Sequence, residues 1–220
     1  MAETLQQLLD QAEEVEAAEP FVKQNSRALK IHVSDRVYCR AGSMVAYQGE
    51  IKFRSTAGGM GKWFKQKLTG EGIPLMEATG QGDLFLADDA AEVTILKLQG
   101  ETLFVEGRHL LAFEETIAWD ISMIRGAGIT SGGLFTCRLT GNGYVAISSH
   151  GEPIALEAPV LVDPNAVIGW TSGVSPKLKA DINLKTILGR SSGETFQLDF
   201  IGTGKVLIQP AELTSFGKKE

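Results

Sequence analysis

The sequence predicts an all-β protein built from three pseudo-symmetric β-sandwich or barrel repeats of about 60 residues, with a short N-terminal amphipathic helix. Two recurring patterns and the glycine content predict this fold. A Gly-x-Gly pattern begins at Gly80, Gly141 and Gly202, so it recurs at a constant interval of 61 residues. A polar turn followed by an apolar strand with an aromatic end also occurs three times. The 25 glycines in 220 residues, beside only seven prolines, indicate many tight turns in an ordered chain.

Residues 1–19 are predicted to form an acidic amphipathic helix that ends before Pro20. Thr4 and Gln7 have the spacing of a capping box at its start. Its apolar residues recur at helical spacing and form one face, which consists of Leu5, Leu8, Leu9, Ala12 and Val15. This face either packs on the β body of the same chain or docks on a partner or a neighbouring subunit. Without either contact, a helix this short frays in water.

Each Gly-x-Gly pattern lies between two predicted strands. The residues before it alternate between apolar and charged, as in a strand with one buried face. The residues after it are mostly apolar, which predicts a strand that is covered on both faces. We therefore predict a β-hairpin in each unit, with a turn that uses the positive φ angles open to glycine. The predicted structural turn residues are Gly80, Gly82, Gly141, Gly143, Gly202 and Gly204.

The second pattern sets the limits of the units. The aligned segments are residues 40–47, 106–113 and 163–170, which end on Tyr47, Phe113 and Trp170. The loops between the elements differ in length, while the elements themselves persist. We expect one β domain over residues 20–212, with units at about 27–90, 91–151 and 152–212, and a tail over 213–220.

Negative charge is concentrated at the start of the chain. Residues 1–19 hold six acidic residues and no basic ones, and the net charge of the whole chain is −6. The remaining residues are balanced in charge, which speaks against a strongly basic nucleic-acid interface. The sequence contains no run of about 18 apolar residues, so no membrane-spanning helix is predicted. The start lacks the pattern of a secretory signal, and with two cysteines we expect a cytoplasmic protein.

The sequence offers no set of residues with the spacing of an active site. His32, His109 and His150 are scattered, so a metal site is not expected. A Gly-x-Gly phosphate loop needs a following helix, and here strands follow. Cys137 takes the place of apolar residues in the other units, which predicts a core residue, and Cys39 is interpreted in the same way. We therefore expect no catalytic residue, no cofactor and no metal, and a protein that is not an enzyme.

Residues 58–72 have no counterpart in the other units and are basic, aromatic and bracketed by glycine. Such a segment can lie on a membrane surface, bind an anionic ligand or stack on single-stranded nucleic acid. It can also contact another subunit, or form a short connecting helix whose aromatic residues plug one end of the β body. The candidate ligand or partner contacts are Lys62, Trp63, Phe64, Lys65 and Lys67.

Several ordered motifs resemble one known family. They are residues 41–47 (AGSMVAY), the Gly-Gly and Trp-Phe pairs of residues 58–64, residues 79–82, residues 163–170 and the closing run 196–210. Together they resemble the altered-inheritance-of-mitochondria protein 24 family over about residues 21–212. The resemblance implies a β-sandwich assembly similar to the fold of the tryptophan RNA-binding attenuation protein, repeated within one chain. Fungal relatives are linked to the organisation of the mitochondrial inner membrane, and no catalytic or ligand-binding residue is implied.

Two functions of different class are consistent with these observations. The first is a non-enzymatic cytoplasmic scaffold or protein-interaction module that self-associates through sheet edges or through the N-terminal helix. The alternative is a protein that binds an anionic small molecule, a lipid headgroup or RNA through the basic-aromatic loop 58–72. The expected partner is a second copy of the chain or another protein, in preference to a membrane surface or nucleic acid.

Overall fold

The computed structural model describes residues 3–56, 73–124, 134–180 and 196–211. Within these ranges it contains one helix and fifteen strands. They are α1 (Leu5–Gln11), β1 (Phe21–Asn25), β2 (Ala28–Val33), β3 (Arg36–Arg40), β4 (Met44–Ser55), β5 (Leu75–Ala87), β6 (Glu92–Glu106), β7 (Leu110–Glu114), β8 (Ile117–Ile124), β9 (Leu134–Ser149), β10 (Ile154–Glu157), β11 (Val160–Val162), β12 (Val167–Thr171), β13 (Val174–Ala180), β14 (Phe196–Gly202) and β15 (Lys205–Ile208). The prediction of a mostly β protein is confirmed.

All the strand pairs of the described residues are antiparallel. Twelve strands form one sheet, and β11, β14 and β13 form a second sheet. The path of the large sheet runs from β1 to β10, and β4 and β8 lie beside it as partners of β5 and β9. Within the part of the chain that the structure describes, the strands do not close into a barrel.

The first two Gly-x-Gly patterns lie at corners within long strands and the third lies between β14 and β15, and in none of them do the flanking strand segments pair with each other, so the hairpin prediction is wrong. Gly80 and Gly82 lie inside β5, and Gly141 and Gly143 lie inside β9. Before its glycines β5 pairs with β3, and after them it pairs with β2. In the third pattern the chain passes from β14 to β15, and these two strands pair with different neighbours. A corner of this kind lets one strand serve two neighbouring strands in turn.

The corners require glycine for two reasons. The six glycines that were predicted to form turns all have positive φ angles, from +112° at Gly202 to +155° at Gly143. Residues that carry a side chain rarely adopt these φ angles. A Cβ atom at Gly80 would also lie 1.9 Å from the carbonyl oxygen of Glu50, on the neighbouring strand β4. The two backbones therefore approach each other closely at the corner.

Three groups of strands can be distinguished along the described chain, each with a central strand that has neighbours on both sides. β5 lies between β4 on one side and the pair β2 and β3 on the other. β9 lies between the pair β7 and β8 and the long strand β6. β14 and β15 lie between β12 and β13 on one side and β10 and β11 on the other. In each case the strand with the Gly-x-Gly corner is the central one.

Buried apolar side chains form three clusters that follow this arrangement. The first cluster centres on β2, β3 and β5, the second on β6, β7 and β9, and the third on β12, β14 and β15. Cys39 belongs to the first cluster and Cys137 to the second, as the sequence pattern predicts. Burial raises the pKa of both thiols to about 12, so neither is a nucleophile at neutral pH.

The N-terminal helix is shorter than predicted, because α1 ends at Gln11 and not near residue 19. The predicted capping box of Thr4 and Gln7 is present. After α1 the chain is held on the sheet by Glu13, Glu14 and Val15. The side chain of Gln24 bonds the backbone of Glu13 and Val15, and the ammonium group of Lys30 lies 2.5 Å from a carboxylate oxygen of Glu14. This hydrogen bond raises the pKa of Lys30 against the effect of desolvation, so the buried lysine stays charged.

Candidate interaction site

Two internal junctions join the three groups of strands, and they have the same register. At the first junction β3 pairs with β7, with Tyr38 opposite Phe113. At the second junction β6 pairs with β12, with Phe104 opposite Trp170. The aligned positions are the same in both: residue 38 corresponds to 104, and residue 113 to 170. Each junction thus joins a strand of one group, β3 or β6, to a strand of the next group, β7 or β12.

Aromatic stacking stabilises both junctions. The rings of Tyr38 and Phe113 are stacked with centroids 5.1 Å apart and an interplanar angle of 20°. The rings of Phe104 and Trp170 are stacked with centroids 5.5 Å apart and an angle of 8°. Phe113 is fully buried and Trp170 is 3% exposed. Stacked aromatic pairs of this geometry stabilise a contact beyond the effect of area burial alone.

The corresponding part of the first group is an open edge. The first half of β4, residues 44–48, aligns with β7 and β12, whose apolar residues are buried. In β4, however, Val45 is 62% exposed and Tyr47 is 48% exposed, and their neighbours Met44, Ala46 and Gln48 are exposed too. Successive residues of a strand point to opposite faces, so exposed side chains lie on both faces, although Tyr47 contacts the Phe53 ring and Gln48 bonds Glu14. Among the described residues β4 pairs only with β5.

A second open edge lies in the third group. β11 aligns with the parts of β3 and β6 that form the internal junctions. It pairs with β14 and, among the described strands, with no other. Leu161 at its centre is 46% exposed, whereas the aligned Phe104 packs against the third core cluster. The two open edges, residues 44–48 of β4 and 160–162 of β11, form the candidate interaction site.

Residues 44–48 and 160–162 contain no charged residue and no proline, although β4 carries Glu50, Lys52 and Arg54 further along and Pro159 directly precedes β11. Soluble β proteins usually protect a free edge with lysine, proline or a covering loop, because unpaired N–H and C=O groups invite another strand. Exposed apolar residues on an unprotected edge are typical of a contact surface. The candidate site therefore has the chemistry of strand addition, in which backbone hydrogen bonds give affinity and side chains give specificity.

The structure describes only some of the residues that were predicted to contact a partner or ligand. Leu5, Leu8 and Leu9 of α1 are exposed, and α1 buries no residue on the described β body. Ala12 is the C-cap of α1, and the backbone carbonyl of Val15 accepts a hydrogen bond from Lys30. The helix face thus remains available, although the segment behind it is fixed. The predicted basic-aromatic contacts Lys62, Trp63, Phe64, Lys65 and Lys67 lie outside the described residues.

A buried polar cluster, which sequence reasoning missed, lies where the first two groups meet. The carboxylate of Glu106 accepts hydrogen bonds from the backbone and the side chain of Arg108. His109 Nδ1 donates a hydrogen bond to the backbone carbonyl of Ser148 at 2.8 Å, while its Nε2 is buried without a hydrogen-bond partner. Arg40 is paired with Asp88. Sequence alignment places His109 only in a turn, and nothing in that pattern indicates burial.

Burial sets the protonation of this cluster. Desolvation lowers the pKa of His109 to about 4, and the positive charges of Arg108 and Arg40 act in the same direction. Desolvation also raises the pKa of Glu106, although Arg108 opposes it. The ion pair with Arg40 lowers the pKa of Asp88 in spite of partial burial. His109 is therefore neutral at pH 7, and beside it the Ser148 hydroxyl donates a hydrogen bond to the carboxylate of Asp88.

We expect His109 to make the stability depend on pH. Its folded pKa of about 4 lies below the unfolded value of 6.5, so the unfolded chain binds the proton first as the pH falls. From about pH 7.5 to about pH 4.5 the unmodified protein should lose about 2 kcal/mol more unfolding free energy than His109→Asn. Urea unfolding of both proteins measures the difference, in which the effects of Glu106 and Asp88 largely cancel. Parallel pH profiles would contradict the expectation.

Other site classes are not found in the residues that the structure describes. They contain no group of three or more His, Cys, Asp or Glu side chains placed to hold a metal ion. The helical part of these ranges offers no segment with the length and apolarity needed to cross a membrane. Several described strands have only one partner, and among them β4 and β11 are the two whose aligned counterparts form the internal junctions.

The fold and the open edges define an antiparallel β protein in which two strand edges, on β4 and β11, match the edges that its internal junctions use. The sequence profile described as mitochondrial biogenesis AIM24 matches residues 21–211, and the chain belongs to this family. The family resemblance deduced from the sequence motifs is therefore confirmed.

One solved structure shows the same fold. It is an X-ray crystal structure of a protein from Streptococcus pyogenes, which matches with a TM-score of 0.66 and 18% sequence identity. The match covers 87% of this chain and 92% of that chain. At this identity the likeness concerns the fold alone. A comparison with curated proteins found no match.

Proposed function

We propose that this protein is a non-enzymatic, cytoplasmic protein-interaction module that associates with itself through its open sheet edges. One observation carries the proposal. The apolar segment at residues 44–48 of β4 is exposed, whereas the aligned segments in β7 and β12 are buried by strand pairing. The two buried free cysteines fit a reducing compartment.

The proposal includes an architecture of three copies of one β-sandwich module. Beside the common strand order, a register shift recurs at the aligned positions. β4 skips a residue between Met44 and Ala46, β7 between Leu110 and Ala112, and β12 between Val167 and Gly169. Bulges bend a strand and fix its register, so a bulge at the same place in each unit supports a common module. A module that joins its copies within one chain is suited to join them between chains.

Sedimentation equilibrium of matched variants tests this function. Val45→Lys places a charge on the edge of β4, and we expect it to shift the assembly towards the mass of one chain, 23.7 kDa. Met123→Lys changes an equally exposed apolar residue on β8 and should leave the assembly intact. Leu8→Lys does the same on α1.

Three outcomes would contradict the proposed edge contact. They are a parent protein that stays at the mass of one chain at every concentration, a Val45→Lys variant as large as the parent, and loss of assembly in Leu8→Lys alone. The last result would place the contact on the N-terminal helix.

A further inference from the structure

We propose that β4 of one copy pairs with β11 of a second copy, head to tail and antiparallel, in the register of the two internal junctions. This inference rests on the proposed self-association and names its partner strand. Each group of strands offers two edges for a junction. One edge belongs to β3, β6 or β11, and the other belongs to β4, β7 or β12. Two of the three possible junctions are formed within the chain, between β3 and β7 and between β6 and β12. The edges left over are those of β11 and β4.

The register of the missing junction follows from the alignment of the units. At the first junction Val37 lies opposite Glu114, and at the second the aligned Leu103 lies opposite Thr171. Continuing the series puts Val160 opposite Gln48. The same step puts Leu161 opposite Tyr47 and Val162 opposite Ala46. Since register fixes which face each side chain occupies, we expect these pairs and not the pairs of a register shifted by one residue.

The side chains at the two edges complement each other. At both internal junctions an aromatic ring on β7 or β12 is covered by a large side chain on β3 or β6, as with Phe113 under Tyr38. At the missing junction Tyr47 occupies the ring position and Leu161 the covering position, and both are about half exposed. Pairing buries the two apolar side chains and supplies partners for unpaired backbone groups. Neither residues 44–48 nor residues 160–162 include a charged residue that would oppose the contact.

The two edges differ from each other, so the contact is heterologous: one copy offers β4 and its neighbour offers β11. Such a contact joins copies in a ring or a row, whereas a contact of β4 with β4 would give a symmetric dimer. Within one described chain β4 and β11 are not paired with each other. The contact is therefore assigned to two copies and not to closure within one chain.

Disulfide trapping tests the contact. Residues directly opposite each other in an antiparallel pair have Cα atoms at a distance that a disulfide can span. We expect a mixture of Tyr47→Cys and Leu161→Cys chains, one of them carrying a size tag, to form mainly the mixed disulfide on mild oxidation. Each variant alone should form little. The native cysteines should not interfere, because both are buried and their thiol pKa is about 12. As a control, Met123→Cys mixed with Leu161→Cys should form no more disulfide than random collision gives.

The outcomes separate this inference from the proposed function. A parent protein that associates, together with a disulfide mainly between two Tyr47→Cys chains or equal yields in all mixtures, overturns the head-to-tail register and leaves self-association standing. A double variant that forms the disulfide within one chain at low concentration overturns the assignment to two copies. A parent protein that does not associate refutes the function and the inference together.

Discussion

Replacing Gly80 with alanine is expected to lower the unfolding free energy by at least about 3 kcal/mol. The residue has a φ angle of +128°, and a Cβ atom there would lie 1.9 Å from the carbonyl oxygen of Glu50. That oxygen belongs to the backbone of β4, so no side-chain rotation relieves the clash. The change should therefore open the corner of β5 and separate the strands on either side of it. Urea unfolding at low protein concentration measures the loss.

Gly100 provides the matched control. It also has a positive φ angle, +98°, but a Cβ atom there would meet nothing within 4 Å. Gly100→Ala should therefore cost only about 1 kcal/mol, the penalty of a left-handed conformation for a residue with a side chain. Equal losses for the two variants would mean that the Gly-x-Gly pattern serves only to reach positive φ. In that case the close approach of backbones at the corner would not be a reason for glycine.

Phe113→Ala is expected to lower the unfolding free energy by about 3–5 kcal/mol, as usual for a fully buried aromatic residue. Its ring is stacked on Tyr38 and lies at an angle to the ring of Trp119. Tyr47→Ala changes the aligned position of the first unit, where the side chain is 48% exposed. At a concentration where the protein is a single chain, its effect should be below about 1 kcal/mol.

The pair of variants compares one position of the repeat in two environments. At high concentration Tyr47→Ala should lose more stability relative to the parent, because association buries the tyrosine and stabilises the folded chain. Phe113→Ala should show a large loss at every concentration. A Tyr47→Ala variant as unstable as Phe113→Ala at low concentration would show that the edge of β4 is covered within a single chain. Thermal unfolding across a range of concentrations measures both.

Much of the fold could be predicted from the sequence because the pattern is repeated. The period of 61 residues gave the equivalence of Cys137 and Leu198, and both are buried core residues. The capping box of Thr4 and Gln7 is local chemistry and was predicted correctly. The end of the helix was not predicted correctly. The segment after the helix is held on the sheet by Gln24 and Lys30, which are remote in sequence from the helical pattern.

The error on the Gly-x-Gly pattern has a physical cause. A hairpin turn and a strand corner both require positive φ, so glycine at Gly80 and Gly82 is consistent with either. The difference lies in the partners of the flanking residues, because β5 remains one strand paired along β4 while its other neighbour changes. Such pairing is a property of the whole sheet and leaves no mark in the pattern itself.

The open edge was equally hidden from sequence reasoning. The segment with Met44, Val45 and Tyr47 is as apolar as its buried counterparts in β7 and β12. The alignment with β7 and β12 predicts burial at this place, and the structure shows exposure because, among the described strands, β4 pairs only with β5. The difference between expected and observed burial is what identifies the candidate interaction site.

The central claim is that the open edges of β4 and β11 hold copies of the chain together. Sedimentation equilibrium of the unmodified protein over a wide range of concentrations tests it most directly. We expect a mass well above the 23.7 kDa of one chain, falling towards that value on dilution or in Val45→Lys. A mass of one chain at every concentration would contradict it.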